Sequence, residues 1–195
     1  MLTSRQSGGT AKRRGFTIVE LMMVVTLVAL TAAWALPKFS LARYRADGAG
    51  RLARMLLQVA QRNAITRQSN VIVSFDASNN RLRVVQDYNN NDTLNTSDLV
   101  TFRKLEEGVK FIRPTWAGVS GGVPAAAVNG SALRTVSSYP SVTFRRDGSA
   151  STDLEIYFTA RDAVREEYRA VVVTASTGKC DLYKWNGATW IRMNQ

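Results

Sequence analysis

The feature that most constrains the fold is the apolar run from Phe16 to Leu36. Glu20 is the one charged residue within this run. A helix rising 1.5 Å per residue would cover about 30 Å over this run, the thickness of the hydrocarbon core of a bilayer. An ionised carboxylate there costs on the order of 3 kcal/mol, so Glu20 must be neutralised or paired. The run therefore predicts one membrane helix with an acid that needs a partner.

Two other interpretations of this run stay open. One is a signal anchor in which the acid is accidental. The other is a removed signal peptide, because Arg13-Arg14 partly matches a twin-arginine signal and Ala33-Trp34-Ala35 fits an A-x-A cleavage pattern. The length of the run and Pro37 shortly after that pattern argue against removal.

The residues around Gly15 form a more specific motif. Basic residues precede Gly15, Phe16 and Thr17 follow it, and Glu20 is the fifth residue counted from Phe16. This order resembles the class III leader and amino-terminal helix of type IV pilins and type II secretion pseudopilins. The resemblance implies that residues 1–15 are a leader, that prepilin peptidase cuts between Gly15 and Phe16, and that Phe16 is then N-methylated. Residues 16–36 are the expected transmembrane and assembly helix.

Such a cut would give Glu20 a partner. It creates an ammonium group at Phe16 within about one helical turn, and in a filament the carboxylate can pair with the amino terminus of a neighbouring subunit. The Thr17 hydroxyl either joins this cluster or bonds its own helix backbone. Glu20 and Thr17 are therefore the candidate assembly residues. The implied partners are other pilin or pseudopilin subunits, prepilin peptidase and an inner-membrane assembly platform.

The composition fits one domain attached to one helix. The chain has 195 residues, of which 45% are apolar, enough for a core of ordinary size. A single cysteine, Cys180, excludes an intramolecular disulfide, and the absence of histidine removes the commonest general base and transition-metal ligand. We therefore expect no enzyme. The net charge of +11 comes from scattered cations and is weak evidence for an anionic partner.

Residues 37–69 continue the helical pattern after Pro37, which should kink or locally melt the helix. The larger apolar residues recur at helical spacing and predict a stripe that packs on a globular domain. A bend is expected at Gly48 and Gly50, and the helix should end near residues 67–69. The predicted stripe consists of Leu52, Met55, Leu56, Val59 and Asn63.

Residues 70–195 change to a period of two, typical of strands. Eight segments read as strands: 70–76, 81–87, 98–105, 109–114, 141–148, 153–160, 168–175 and 180–187. With turns between them and no intervening helices, they predict an antiparallel β-sandwich, and hence an α+β chain that begins with a long helix. This order is similar to the minor pseudopilin H and related minor type IV pilins. Residues 115–140, rich in Gly, Ala and Ser, are expected to be a long flexible connection or an interaction loop.

The segment from Asp87 to Asp98 is a candidate calcium loop. Its oxygen-bearing side chains resemble the spacing of EF-hand and dockerin loops, although Asp92 stands where glycine is usual and no helices flank it. A polar hairpin turn is the competing interpretation. No other cofactor is expected. The candidate ligands are Asp87, Asn89, Asn91, Asn95 and Asp98.

The sequence thus predicts a structural subunit of a type II secretion pseudopilus or type IV pilus, most similar to minor or tip subunits. Its expected location is the inner membrane, with one membrane pass and a periplasmic domain, before it enters the filament. The alternative is a minor pilin that binds DNA for uptake. The adjacent Arg145 and Arg146 are the candidate DNA contacts.

Overall fold

A computed structural model describes residues 15–35 and 41–193. The chain divides into two compact units, residues 1–40 and 41–195, and each is described by itself. The predicted kink at Pro37 and the leader before Gly15 lie outside the described residues. The first unit contains helix α1 (Ile18–Ala35) and the second begins with helix α2 (Leu41–Arg67).

Helix α1 is apolar around its whole circumference. All of its described side chains, from Ile18 to Ala33, are exposed, although this stretch carries only one charge, that of Glu20. An apolar helix surface of this kind is stable only when another apolar phase covers it. Among residues 15–35 and 41–193, no helix meets both the length and the hydropathy required to cross a membrane.

The second unit contains two antiparallel sheets. One sheet has the strand order β3-β2-β1-β7-β6, and the other has the order β11-β10-β9-β8-β4, with β5 also paired to β8. This arrangement confirms the predicted α+β chain, a helix followed by antiparallel sheets. The strands are β1 (Asn70–Asp76), β2 (Arg81–Asp87), β3 (Leu99–Lys104), β4 (Lys110–Phe111), β5 (Val128–Gly130), β6 (Arg134–Val136), β7 (Tyr139–Phe144), β8 (Leu154–Thr159), β9 (Arg169–Thr174), β10 (Lys179–Trp185) and β11 (Trp190–Arg192).

The main core lies between the two sheets and α2. Alternate residues of each strand point into it, which is the period-two pattern of the sequence. Phe75 of β1, Phe144 of β7 and Phe158 of β8 are fully buried there, together with Leu57 of α2. Residues from both sheets and the helix share one cluster, so α2 is part of the core of this unit.

Helix α2 packs only partly through the predicted stripe, of which the half-buried Leu56 contacts the core. Its buried residues are mostly alanines, whereas Met55 and Val59 of the predicted stripe are 52% and 45% exposed. Small side chains let the helix backbone approach the sheets closely, and in this orientation Met55 and Val59 face outward while Leu57 faces the core. The buried residues are Ala46, Ala49, Gly50, Ala53, Leu57, Ala60 and Ala64.

Gly50 has a packing role instead of the predicted bend. Helix α2 is continuous from Leu41 to Arg67, ending where the sequence predicts. A β-carbon added to Gly50 would lie 2.8 Å from Leu182 Cδ1 and 3.3 Å from Phe158 Cε2. The glycine is therefore required by close contact between the helix and the second sheet.

The segment 115–140 is more structured than the sequence predicts. It contains β5, which pairs with β8, and β6, which pairs with β7. The part before β5 is held on the outer face of the second sheet, where the backbone N–H of Val119 donates to the Tyr157 hydroxyl and that of Ser120 donates to Glu155 Oε1. The prediction of a flexible connection was wrong because three-residue strands carry no periodicity that a sequence could reveal.

Candidate functional site

The Gly15–Phe16 peptide bond lies in an irregular segment before α1. Apart from Gly15 and its chain neighbours, no atom of the described residues lies within 4 Å of the position that a β-carbon on Gly15 would take, and Phe16 is 82% exposed. Helical structure begins only at Ile18. This irregular, exposed segment contrasts with the regular helix that follows it, and cleavage at the bond stays a prediction.

Thr17 and Glu20 form a reciprocal pair at the start of α1. The Thr17 hydroxyl oxygen accepts a hydrogen bond from the Glu20 backbone N–H, and Glu20 Oε2 accepts one from the Thr17 backbone N–H, each at 3.2 Å. The Thr17 hydroxyl also lies 3.2 Å from Glu20 Oε2. This is a capping box, in which two unpaired donors of the first turn are satisfied by side chains. It joins the two candidate assembly residues that the sequence proposed.

The pair leaves one acceptor available. Within the described residues, both hydrogen bonds to the Glu20 carboxylate end on Oε2, so Oε1 remains open to another donor. A carboxylate at a helix amino terminus is also favoured by the helix dipole. An ammonium group at Phe16, one residue before the cap, would therefore meet a carboxylate already fixed in position. The intersubunit role of Glu20 stays a prediction.

In the candidate calcium loop, the first three predicted ligands build turns. Asp87 is fully buried, and its carboxylate accepts the backbone N–H groups of Asn91 at 3.2 Å and Asp92 at 2.7 Å. Asn89 Oδ1 accepts the Asn91 N–H, and Asn91 Oδ1 accepts the Thr93 N–H. Asn90 and Asp92 adopt positive φ angles, as asparagine and aspartate do in tight turns.

The last two predicted ligands build a separate turn. Asn95 Oδ1 accepts the Ser97 N–H, and Asp98 Oδ2 accepts the Asn95 N–H. Asp98 Oδ1 is buried and has no hydrogen-bond partner among residues 15–35 and 41–193. In the part of the chain that the structure describes, no three Asp, Glu, Cys or His residues converge on one point. These contacts favour the polar-turn interpretation, and calcium binding stays a hypothesis.

Arg145 and Arg146, the candidate DNA contacts, are both exposed in the turn that follows β7. The turn is closed by the Gly148 backbone N–H donating to the Arg145 carbonyl at 2.9 Å. Gly148 is required in this turn by its φ of +85°. The turn accounts for the exposure of both arginines without any reference to DNA.

Sequence reasoning missed an aromatic cluster on the outer face of the second sheet. Trp116 packs against Tyr168 at 4.7 Å and Trp185 at 5.8 Å between ring centroids, and Trp190 packs against Trp185 at 5.5 Å. The Arg165 guanidinium lies 4.8 Å from the centre of the Trp116 ring. The tryptophans come from a loop and two strands, so their sequence positions alone gave no signal.

An ion pair fixes the start of α2 to the second sheet. Arg169 of β9 donates from Nε to Asp47 Oδ1 of α2 at 2.5 Å, and the Arg169 side chain is only 4% exposed. A guanidinium buried to this degree requires such a partner. The pair therefore sets where the amino-terminal end of α2 lies on the sheet.

An apolar helix with a capped start, followed by a helix packed on two antiparallel sheets, defines a pilin-like subunit. Residues 49–178, more than half of the chain, match the family described as Type II transport protein GspH, and residues 10–36 match the prokaryotic N-terminal methylation motif. The chain belongs to the GspH family. It is a pseudopilin of the type IV pilin superfamily and a structural subunit of a type II secretion pseudopilus. The family is structural and is not an enzyme class.

Two solved structures are similar to this chain, both of the minor pseudopilin EpsH from the type II secretion system of Vibrio cholerae. The first is 12% identical with a TM-score of 0.48 and covers 72% of this chain and 97% of EpsH. The second is 14% identical with a TM-score of 0.43 and covers 72% of this chain and 94% of EpsH. None of the curated proteins compared with the chain matches it. Neither family match points to DNA binding.

Proposed function

We propose that this chain is a minor subunit, at or near the tip, of a type II secretion pseudopilus. In this proposal prepilin peptidase cuts the Gly15–Phe16 bond and Phe16 is N-methylated. The observation that carries the proposal is the match of the methylation motif to residues 10–36 on the same chain as the GspH match. The exposure of Phe16 and the open space around Gly15 support access by the peptidase.

Before assembly, the amino-terminal helix would hold the subunit in the inner membrane with its sheets in the periplasm. Support comes from the sequence, since the apolar run extends from Phe16 to Leu36 and so exceeds α1 at both ends. The exposed apolar surface of α1 also needs a cover, which lipid supplies first and neighbouring subunits supply in the filament. The assembly platform would transfer the helix between these two apolar environments.

Within the filament, Glu20 would pair with the Phe16 amino terminus of a neighbouring subunit and so set the register. The outward face of α2 would supply further contact area, because Leu41, Tyr44, Met55 and Val59 are all exposed. Burying such residues between subunits favours assembly through the hydrophobic effect, and the entropy lost on association offsets part of this gain. Pairing of Glu20 contributes mainly specificity, since the desolvation of two charges offsets most of their attraction.

Mass spectrometry of the mature protein tests the processing step. We expect an amino-terminal N-methylated Phe16 in the wild-type protein and an uncut chain for Gly15→Leu, because the larger side chain blocks the bond from the peptidase. Gly8→Leu is the matched control in the leader and should leave the cut intact. A mature chain that begins at Leu36 would instead establish a removed signal peptide and overturn the proposal.

A further inference from the structure

The second unit contains a pocket of about 330 Å³ beside the start of α2. Four parts of the chain form it: the first two turns of α2, the short helical turn at Arg165–Glu167, the start of β9, and the β10–β11 hairpin. Its walls carry more cations than acids. The charged and aromatic residues that line it are Arg43, Asp47, Glu166, Arg169, Lys184 and Trp185.

The ion pairs in this pocket leave two cations unneutralised. Asp47 is occupied by Arg169 at 2.5 Å. Arg43 and Lys184 are both exposed, and neither lies within 4 Å of an acidic oxygen in the described part of the chain. Of the two acidic residues that line the pocket, Glu166 alone is left to offset the positive charge of Arg43 and Lys184. An anionic group that contacts Arg43 and Lys184 together is therefore favoured electrostatically.

The aromatic cluster continues from the wall of the pocket. Trp185 lines the pocket and contacts Trp116 and Trp190, so three of the four tryptophans of the chain lie on this one surface. All three are half-buried, and the indole nitrogens of Trp116 and Trp185 are buried without an acceptor among the described residues, so the exposed parts of these rings are their apolar edges. Indole rings next to lysine and arginine are typical of surfaces that sit at the headgroup level of a bilayer.

The position of the pocket in the chain matches this chemistry. Arg43 follows Ala35, the last residue of α1, by only eight residues. If α1 is held in lipid, as the proposed function requires, a connection this short limits how far Arg43 can lie from the headgroups. A free anion would explain the two cations but not the adjoining tryptophans.

We propose that this pocket and its tryptophan surface bind the phosphate headgroup of an anionic phospholipid. Arg43 and Lys184 contact the phosphate, while Trp185 and Trp116 occupy the interfacial layer beside it. The globular unit thus rests on the membrane before assembly and is released when the subunit leaves the bilayer. The inference rests on the proposed membrane anchoring of α1.

Headgroup contact is measured with the full mature-length chain in nanodiscs, with Trp34→Phe as the background so that only the cluster tryptophans fluoresce. One set of discs is phosphatidylcholine, the other contains roughly a quarter phosphatidylglycerol, and both carry a headgroup spin label that quenches nearby indoles. We expect stronger quenching with phosphatidylglycerol. Because each cation near an anionic surface contributes about fivefold to binding, Arg43→Glu with Lys184→Glu should return quenching to the phosphatidylcholine level.

Arg103→Glu with Lys104→Glu, on exposed positions of β3, is the control with the same change of charge, and it should keep the response. Circular dichroism should show the same fold in both double variants, since all four positions are on the surface. Equal quenching in the two lipids, or loss of the response in the control, would overturn the inference and leave the anchoring intact. Failure of the chain to enter either disc would overturn the anchoring and this inference with it.

Discussion

Glu20 and Thr17 satisfy each other at the first turn of α1, through two backbone-to-side-chain hydrogen bonds of 3.2 Å. The carboxylate that the sequence assigns to intersubunit pairing is therefore also a helix cap. These two roles depend on different properties, because capping needs an acceptor oxygen whereas pairing with an ammonium group needs a charge.

Substitution of Glu20 by glutamine separates the two roles. Glutamine keeps an acceptor for the Thr17 N–H but carries no charge, so Glu20→Gln should preserve the cap and lower crosslinking to neighbouring subunits as strongly as Glu20→Ala. Thr17→Ala should remove the cap, at a cost of about 1 kcal/mol to the helix, and keep crosslinking. If the Glu20→Gln chain assembles normally and the Thr17→Ala chain does not, Glu20 contributes to assembly by capping α1 and not by its charge.

Two glycines of α2 should respond oppositely to alanine. At Gly48 a new β-carbon would lie 3.4 Å from Glu106 Cγ, an ordinary contact, whereas at Gly50 it would lie 2.8 Å from the buried Leu182. We expect Gly48→Ala to raise the free energy of unfolding by about 0.5–1 kcal/mol through helix propensity. Gly50→Ala should lower it by about 1 kcal/mol, because overpacking outweighs that gain. Denaturant unfolding of the detergent-solubilised chain measures both, and stabilisation by Gly50→Ala would contradict the packing described.

The carboxylate of Asp76 should make stability depend on pH. Burial raises the pKa of Asp76, but hydrogen bonds from Asn79 and Arg81 outweigh it and hold that pKa below its usual value. Since the folded pKa is depressed, the stabilisation is fully present above the unfolded pKa of about 3.9 and is lost as the pH falls through the folded value.

The comparison with Asp76→Asn isolates this effect. The wild-type chain should be more stable than Asp76→Asn at pH 7, and the difference should shrink below about pH 4, because asparagine does not titrate. Chemical unfolding of both chains across this range is the measurement. A difference that is the same at every pH would show that the Asp76 charge does not contribute.

Substitution of Asp87 tests the turn and the calcium hypothesis together. Because Asp87 caps the backbone N–H groups of Asn91 and Asp92, Asp87→Ala should lower stability by about 1–3 kcal/mol even in EDTA. If the loop also binds calcium, millimolar calcium raises the melting temperature of the wild-type chain by mass action but not that of Asp87→Ala. Identical wild-type melting curves in calcium and EDTA would show that the loop is a polar turn that does not bind calcium.

The sequence by itself determined the features that depend on neighbours along the chain. The order of Gly15, Phe16 and Glu20 is a linear signal, and it predicted the methylation motif that the family comparison confirms. Long strands such as β1 and β2 were visible because alternation over seven residues is a strong pattern. The end of α2 near Arg67 was predicted because the period changes there.

Only the tertiary structure decided which side of α2 is buried and which tryptophans meet. Hydrophobicity alone favoured the side with Met55 and Val59, but close packing on the sheets selected the alanine side and Gly50.

The three-residue strands β5, β6 and β11 exist through their pairing with neighbouring strands. The β10–β11 register pairs Trp185 with Trp190, whereas Trp116 reaches Trp185 from a loop that is distant in sequence. Such contacts join distant segments, so no local pattern encodes them.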